Sequence, residues 1–334
     1  MKKYLLSLAR FFCLLVLLNS SYLYAQPWKI LVYAGPGTDE SLAQSTIHGL
    51  TPVLVEGYEF ELVSAEQLQE ALSPQDIAAI IFPGGSSATD CNLALGSNGR
   101  GCIVNYVEAG GRVIGFCTGA YLWARVRCFI DAERQLGPYE VPEGQYLFPG
   151  TAYGPALRPY DMENRGVSAT AAQVHWAQGE QAAEDVQQVP IETFCQYWNG
   201  GPIMVPDAPS DQNPFPEIHY AQDLYEALPD EVRDTARPIA ATMGLRGDGY
   251  YACFGIHPEY DLGAYFRAGQ WNPNPRAGWV QLIRSLPSSL SLLYHIDTQV
   301  SQYILGVFFL RMRLQVRQGL NPEPSLPGSY GDRS

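Results

Sequence analysis

Short apolar runs that stop at glycine or proline and hand over to helically spaced residues recur along the first 125 positions. This alternation restricts the fold more than any other feature of the chain. Lys29-Ile-Leu-Val-Tyr33 ends at Ala34-Gly-Pro-Gly37, and Thr38 to Leu50 then offers an N-cap, an acidic first turn and apolar residues at helical spacing. Tyr58 to Val63 alternates as a strand, Ser64-Ala-Glu-Gln-Leu starts a short helix, and Ile77 to Phe82 is a buried strand ending at Pro83-Gly-Gly85. Ile103 to Ala109 reads as helix, Arg112 to Gly115 as strand and Ala120 to Arg125 as helix. The order β-α-β-α-β-α-β-α with short connections predicts an α/β fold. Its mostly parallel sheet carries helices on both faces and gathers its functional loops at the carboxyl edge.

The middle of the chain is less regular. Turn-rich Leu147 to Pro155 and Tyr197 to Pro202 flank a Gln/Ala-rich stretch around Ala171 to Gln188, which predicts an irregular β-rich insertion. Pro206 to Pro238 reads as a long surface excursion, followed by strands at Pro238 to Met243 and Tyr250 to Ile256. Leu290 to Leu314 reads as one or two C-terminal helices, and its run Ile304 to Leu310 is too short for a bilayer, so a packing helix is expected.

At the N-terminus, Lys2, Lys3 and Arg10 precede the apolar run Phe11 to Leu18, and Ala25 supplies a small residue for cleavage before Gln26. That is the pattern of a secretory signal, with an uncleaved anchor as the alternative. The expected division is a signal at 1–25, one α/β domain at 26–265, a helical extension at 266–320 and a disordered tail at 321–334. Export predicts a periplasmic or secreted protein with no stable membrane span once the signal is removed. The chain has a formal charge of −13, and loss of the signal's three bases makes it −16. Nucleic acid and anionic membrane surfaces both reward Lys and Arg, so neither is an expected partner. Nothing in the sequence fixes the oligomeric state.

Cys91, Cys102, Cys117, Cys128, Cys195 and Cys253 remain after cleavage. Cys91 and Cys102 bracket an expected Gly/Asn-rich loop, Leu95 to Gly101, and are the pair most easily imagined as a disulfide, although spacing alone does not set connectivity. No C-x-x-C or clustered His/Cys pattern calls for a metal, and no cofactor is expected.

Gly115-Phe-Cys-Thr-Gly119 sets Cys117 on a tight turn between strand and helix, where small neighbours admit substrate and helix N-terminal amides favour thiolate. Downstream, His257-Pro-Glu259 could supply a base and, two residues on, a carboxylate that orients it. Taken singly, each has an ordinary reading: a cysteine after a strand is usually a small buried hydrophobe, and His-x-Glu is a weak tripeptide. Their conjunction points to a cysteine nucleophile with its triad.

These residues, with Val32 to Gly37, Phe82 to Gly85, Leu147 to Pro155 and Trp198 to Pro202, resemble the class I glutamine-amidotransferase-like superfamily, and within it the N-terminal domain of eukaryotic biotin–protein ligases. The resemblance covers about residues 29 to 262. It implies a flavodoxin-like three-layer sandwich with Cys117 as nucleophile, His257 as base, Glu259 as its orienter, and Gly85 and Thr118 as oxyanion-hole donors. Gly84 and Gly85 also satisfy a simple need for a turn, and Asn199-Gly200 is an ordinary tight turn as well as a candidate cleft segment. Where glutamine amidotransferases carry Gln, four residues after the nucleophile, this chain has Tyr121, a further candidate cleft residue. A ligase catalytic domain is not expected in this chain, nor is biotin ligation. The expected function is an exported cysteine hydrolase acting on an amide or peptide-like bond of a small molecule or peptide. The alternative is a catalytically silent binding domain.

Overall fold

In the computed structural model, residues 29–38, 40–70, 72–130, 135–160, 168–177, 193–207, 215, 217–260 and 298–318 are described. The signal region, the tail from 321, the end of the Gln/Ala-rich stretch beyond 177 and the segment 266–297 lie outside them.

Four strands begin the sheet: β1 (Lys29–Tyr33), β2 (Glu59–Val63), β3 (Ile77–Phe82) and β4 (Arg112–Phe116). Along β1, Ile30 and Val32 enter one core while Leu31 and Tyr33 enter another, and β3 divides Ala79 and Ile81 from Ile80 and Phe82 in the same way. Strands buried on both faces need a layer on each side. Helix α1 (Glu40–Leu50) covers the first core, whereas α2 (Ala88–Glu108) and α3 (Thr118–Trp123) cover the second. The chain continues through β5 (Ala124–Ile130), β6 (Gln135–Glu140), β7 (Phe148–Gly154), β8 (Thr170–Trp176), β9 (Phe194–Trp198), β10 (Ile203–Pro206) and β11 (Glu217–Tyr220). Next come α4 (Asp230–Arg233), β12 (Ile239–Arg246), β13 (Gly249–Phe254) and α5 (Thr298–Arg311). Helix α5 returns to the first core through Ile304, Leu305, Phe308 and Phe309. The result is a three-layer α/β sandwich. No helix among the described residues is long and apolar enough to cross a membrane.

The sheet runs β2-β1-β3-β4-β13-β12-β10-β7-β5-β6, parallel from β2 to β13 and at β5–β7, and antiparallel elsewhere on that path. The antiparallel half is the β-rich insertion, extended by β11, β8 and β9.

Three local expectations are corrected. The helix after Cys117 ends at Trp123, and Arg125 lies in β5, because the chain turns at once into a pairing with β7. Within the expected surface excursion, β11 is buried at all four residues, since β12 and β8 flank it. The stretch around Leu95 to Gly101 is helical, broken only at Gly96 (φ 59°, ψ −177°). Tertiary anchors outweigh its glycines: Arg100 is buried on the Trp123 ring and donates to Gln145 O, Asn92 Oδ1 and Leu122 O at 2.7, 3.0 and 2.8 Å.

The expected disulfide between Cys91 and Cys102 is not formed in this structure. Both thiols are free, Cys91 buried and Cys102 at 3.5 Å from Gln69 O.

Candidate active site

Strands β3, β4 and β13 are adjacent and parallel, with Phe82 level with Gly115 and Phe116 level with Phe254. Whatever follows them emerges at one edge of the sheet, and those followers are Gly84-Gly85, Cys117 and His257 to Glu259. Cys117 sits at φ 47°, ψ −99°, a left-handed conformation that costs a non-glycine residue about 1–3 kcal/mol. Its surroundings impose that conformation. The Cys117 N–H donates to Phe254 O at 2.7 Å, and a Cβ on Gly119 would stand 2.4 Å from Phe82 O. Glycine at 119 therefore lets the start of α3 close down on β3, and the closure holds the elbow. The Cys117 thiol donates to Asn199 O at 3.7 Å.

His257 and Glu259 are buried, 4% and 0% exposed, with His257 Nδ1 2.7 Å from Glu259 Oε1. With Nδ1 held by Glu259, Nε2 is the ring nitrogen left over, and Cys117 lies near enough to act on the imidazole's charge. Burial on its own would lower the imidazole's pKa. The Glu259 carboxylate and then the contact with Cys117 overcome that effect and raise it. Burial raises the Glu259 carboxyl too, against the pull of His257. The sense we take from the pair is a proton held on the imidazole, because the carboxylate at 2.7 Å is its immediate counter-ion.

Packing fixes the ring. Tyr260 stacks on it at 4.7 Å and 7°, the Tyr197 ring lies 5.5 Å away, and the backbone N–H of His257 donates to the Tyr197 carbonyl at 2.9 Å. Gly49, near the end of α1, has room for no side chain, because a Cβ there would meet Glu259 O at 1.6 Å. Neither Gly49 nor Tyr260 is marked in the sequence as a site residue, since each acts only through what folds against it.

Cys117, Thr118, Gly85, Tyr121, Asn199 and Gly200 line one cavity of about 120 Å³. Among the described residues, the N–H groups of Gly85 and Thr118 have no hydrogen-bond partner. Gly84 does not line the cavity. It lies behind it, where a Cβ would stand 2.6 Å from His257 Cε1. Tyr121 is buried and its hydroxyl donates to Gly200 O at 3.0 Å, tying α3 to the Asn199-Gly200 turn. Asn199 Oδ1 is buried without a partner. Among the described residues no group of three or more His, Cys, Asp or Glu side chains could hold a metal.

The profile of the family described as "Biotin-protein ligase, N terminal" matches residues 28–288, more than half of the chain. This chain belongs to that family. All the site residues above fall inside the matched span. A biotin–protein ligase from Schizosaccharomyces pombe is 24% identical over 232 residues, which are 70% of this chain and 33% of that protein. The chain thus spans about a third of the length of that curated relative. Among solved structures, a putative ThuA-like protein from Bacteroides uniformis is 13% identical with a TM-score of 0.40, covering 81% of this chain and 97% of that one. A beta-galactosidase from the haloarchaeon Halorubrum lacusprofundi is 16% identical with a TM-score of 0.38, covering 71% and 29%. Likenesses so distant carry no functional argument, and the geometry of this biotin–protein ligase N-terminal domain must supply it.

Proposed function

We propose that this chain is an exported cysteine hydrolase that cleaves an amide or peptide-like bond through a thioester. The observation that carries the reading is the Cys117–His257–Glu259 alignment on neighbouring parallel strands, with the sulfur in a cavity and the carboxylate 2.7 Å from the imidazole. His257 takes the thiol proton, and the sulfur attacks the carbonyl carbon. The N–H groups of Gly85 and Thr118 receive the oxygen as it becomes negative. The imidazolium then returns the proton to the leaving nitrogen, and water, deprotonated by His257, releases the acid and the thiol. Glu259 accepts from Nδ1–H throughout and so fixes the tautomer. This chemistry differs from the ligation for which the fission-yeast relative is named, and the basic and apolar N-terminal segment supports the export.

The competing reading is a binding domain without turnover, favoured by Tyr121 at the position where glutamine amidotransferases carry Gln. Alkylation by iodoacetamide near neutral pH separates the two. A thiolate–imidazolium pair reacts much faster than a free cysteine, whose ordinary pKa of about 8.5 leaves little thiolate there. His257→Ala should remove the advantage at Cys117, and Glu259→Gln should weaken it less. Labelling of Cys117 at the rate of an ordinary thiol, indifferent to both substitutions, would leave only the binding domain. In a screen of amide substrates, Cys117→Ala should abolish turnover and His257→Ala should lower it by about 10²–10⁴.

A further inference from the structure

A second charged group shares the cavity with Cys117. Arg127, from β5, lines it together with Tyr139, Phe129 and Tyr160. Only 7% of Arg127 is exposed, and its guanidinium lies 5.4 Å from the Tyr139 ring centre. Yet Nε and Nη1 are buried without a hydrogen-bond partner, and no carboxylate pairs with Arg127 among the described residues. A buried cation left this way forfeits solvation and gains only the face of the Tyr139 ring in return, an arrangement that proteins ordinarily avoid. The neighbouring cation deepens the deficit: burial, and then the charge of Arg127, push Arg100 down to about 9. Arg100, however, has each of its three nitrogens on a protein acceptor, at Gln145, Asn92 and Leu122, and does not line the cavity. Of the two, Arg127 alone lines the cavity and has nitrogens without a partner.

From this geometry we infer that the substrate carries a carboxylate, which pairs with Arg127 while its scissile carbonyl lies at Cys117. The inference rests on reading Cys117 as the nucleophile of the cavity. One guanidinium with donors to spare balances one negative charge, which suits a carboxylate rather than a phosphate dianion in a protein that is itself acidic. The unpartnered Asn199 Oδ1 would accept an N–H or O–H of the same molecule. Arg127 is then a specificity-determining residue, and the acyl compound taken is an anionic one.

Two alkylating reagents of nearly equal size and opposite merit test this. In both, the Cys117 sulfur displaces iodide and forms a thioether, but iodoacetate carries the carboxylate and iodoacetamide is neutral. The rate ratio of iodoacetate to iodoacetamide at Cys117, read by peptide mass spectrometry, should exceed that of N-acetylcysteine by about tenfold or more, the scale on which a cleft of one sign concentrates a counter-ion. Arg127→Gln should bring the ratio to the N-acetylcysteine value or below, and Arg127→Lys should keep most of the preference. The wild-type ratio decides even where Arg127→Gln fails to fold. A wild-type ratio at or below the reference overturns the inference while fast iodoacetamide labelling still stands for the nucleophile. Slow labelling that nonetheless prefers iodoacetate upholds the anion site and defeats the hydrolase reading. No labelling by either reagent overturns both.

Discussion

Glu259 is fully buried, one of its oxygens meets His257, and the other, Oε2, has no partner. A carboxylate so placed depends on the imidazole for its charge balance, and that dependence is measurable. His257 has its pKa raised above the unfolded value of about 6.5, so its proton contributes stability that is complete below about pH 6.5 and lost as pH rises through the raised value. The raised Glu259 carboxyl acts in the same sense. In Glu259→Gln the ion pair is gone. The urea midpoint of the wild type should therefore fall relative to that of Glu259→Gln as the pH climbs from about 6.5 into the alkaline range; a gap that stays constant would deny the pair. At this scale Cys117, His257 and Glu259 were legible because each is a reactive residue type in a recognisable local setting. Arg127 was not, since a lone arginine in a strand shows nothing of whether its donors are met.

Among the elements, the elbow depends on the approach of α3 to β3. A methyl on Gly119 would overlap the Phe82 carbonyl, so Gly119→Ala must push α3 outward and lose the hold on Cys117. Overpacking of that kind typically costs about 1–3 kcal/mol. Chemical denaturation should show a loss in that range, accompanied by slower alkylation of Cys117; unchanged stability would mean that α3 is free to move. The parallel strands were readable as continuous apolar runs ended by glycine or proline. Strand β11 was hidden, because four residues with a Glu and a His among them make no such run. They become a buried strand only when β8 and β12 supply hydrogen bonds and Arg237 meets Glu217 at 2.7 Å. The helical path through Gly96 was hidden for a similar reason, as what stabilises it lies on Trp123 and Gln145.

For the molecule as a whole, the informative element is α5, which the sequence sets apart as an extension. Phe308 is fully buried and its ring lies 4.6 Å from Phe254, the last residue of the strand that leads to His257. Val316 bridges to Leu54, and Arg317 Nε donates to Leu54 O at 2.8 Å. The helix therefore closes one core of the sheet. Phe308→Ala should cost about 3–5 kcal/mol and leave a single unfolding transition that reaches the site, followed by urea denaturation with Cys117 labelling as the local probe. A separate early transition that spares the site would mean that the helix is an appendage. By itself the sequence determined the α/β alternation, the elbow and the Cys, His and Glu that it brings to the carboxyl edge, because strand periodicity and turn chemistry are local properties. Only the tertiary structure decided that Cys91 and Cys102 stay apart, that α5 shares the core and that Arg127 lines the cavity with two nitrogens unpartnered. Those outcomes depend on burial and on partners far away in the chain, and neither is encoded at the residue that shows them.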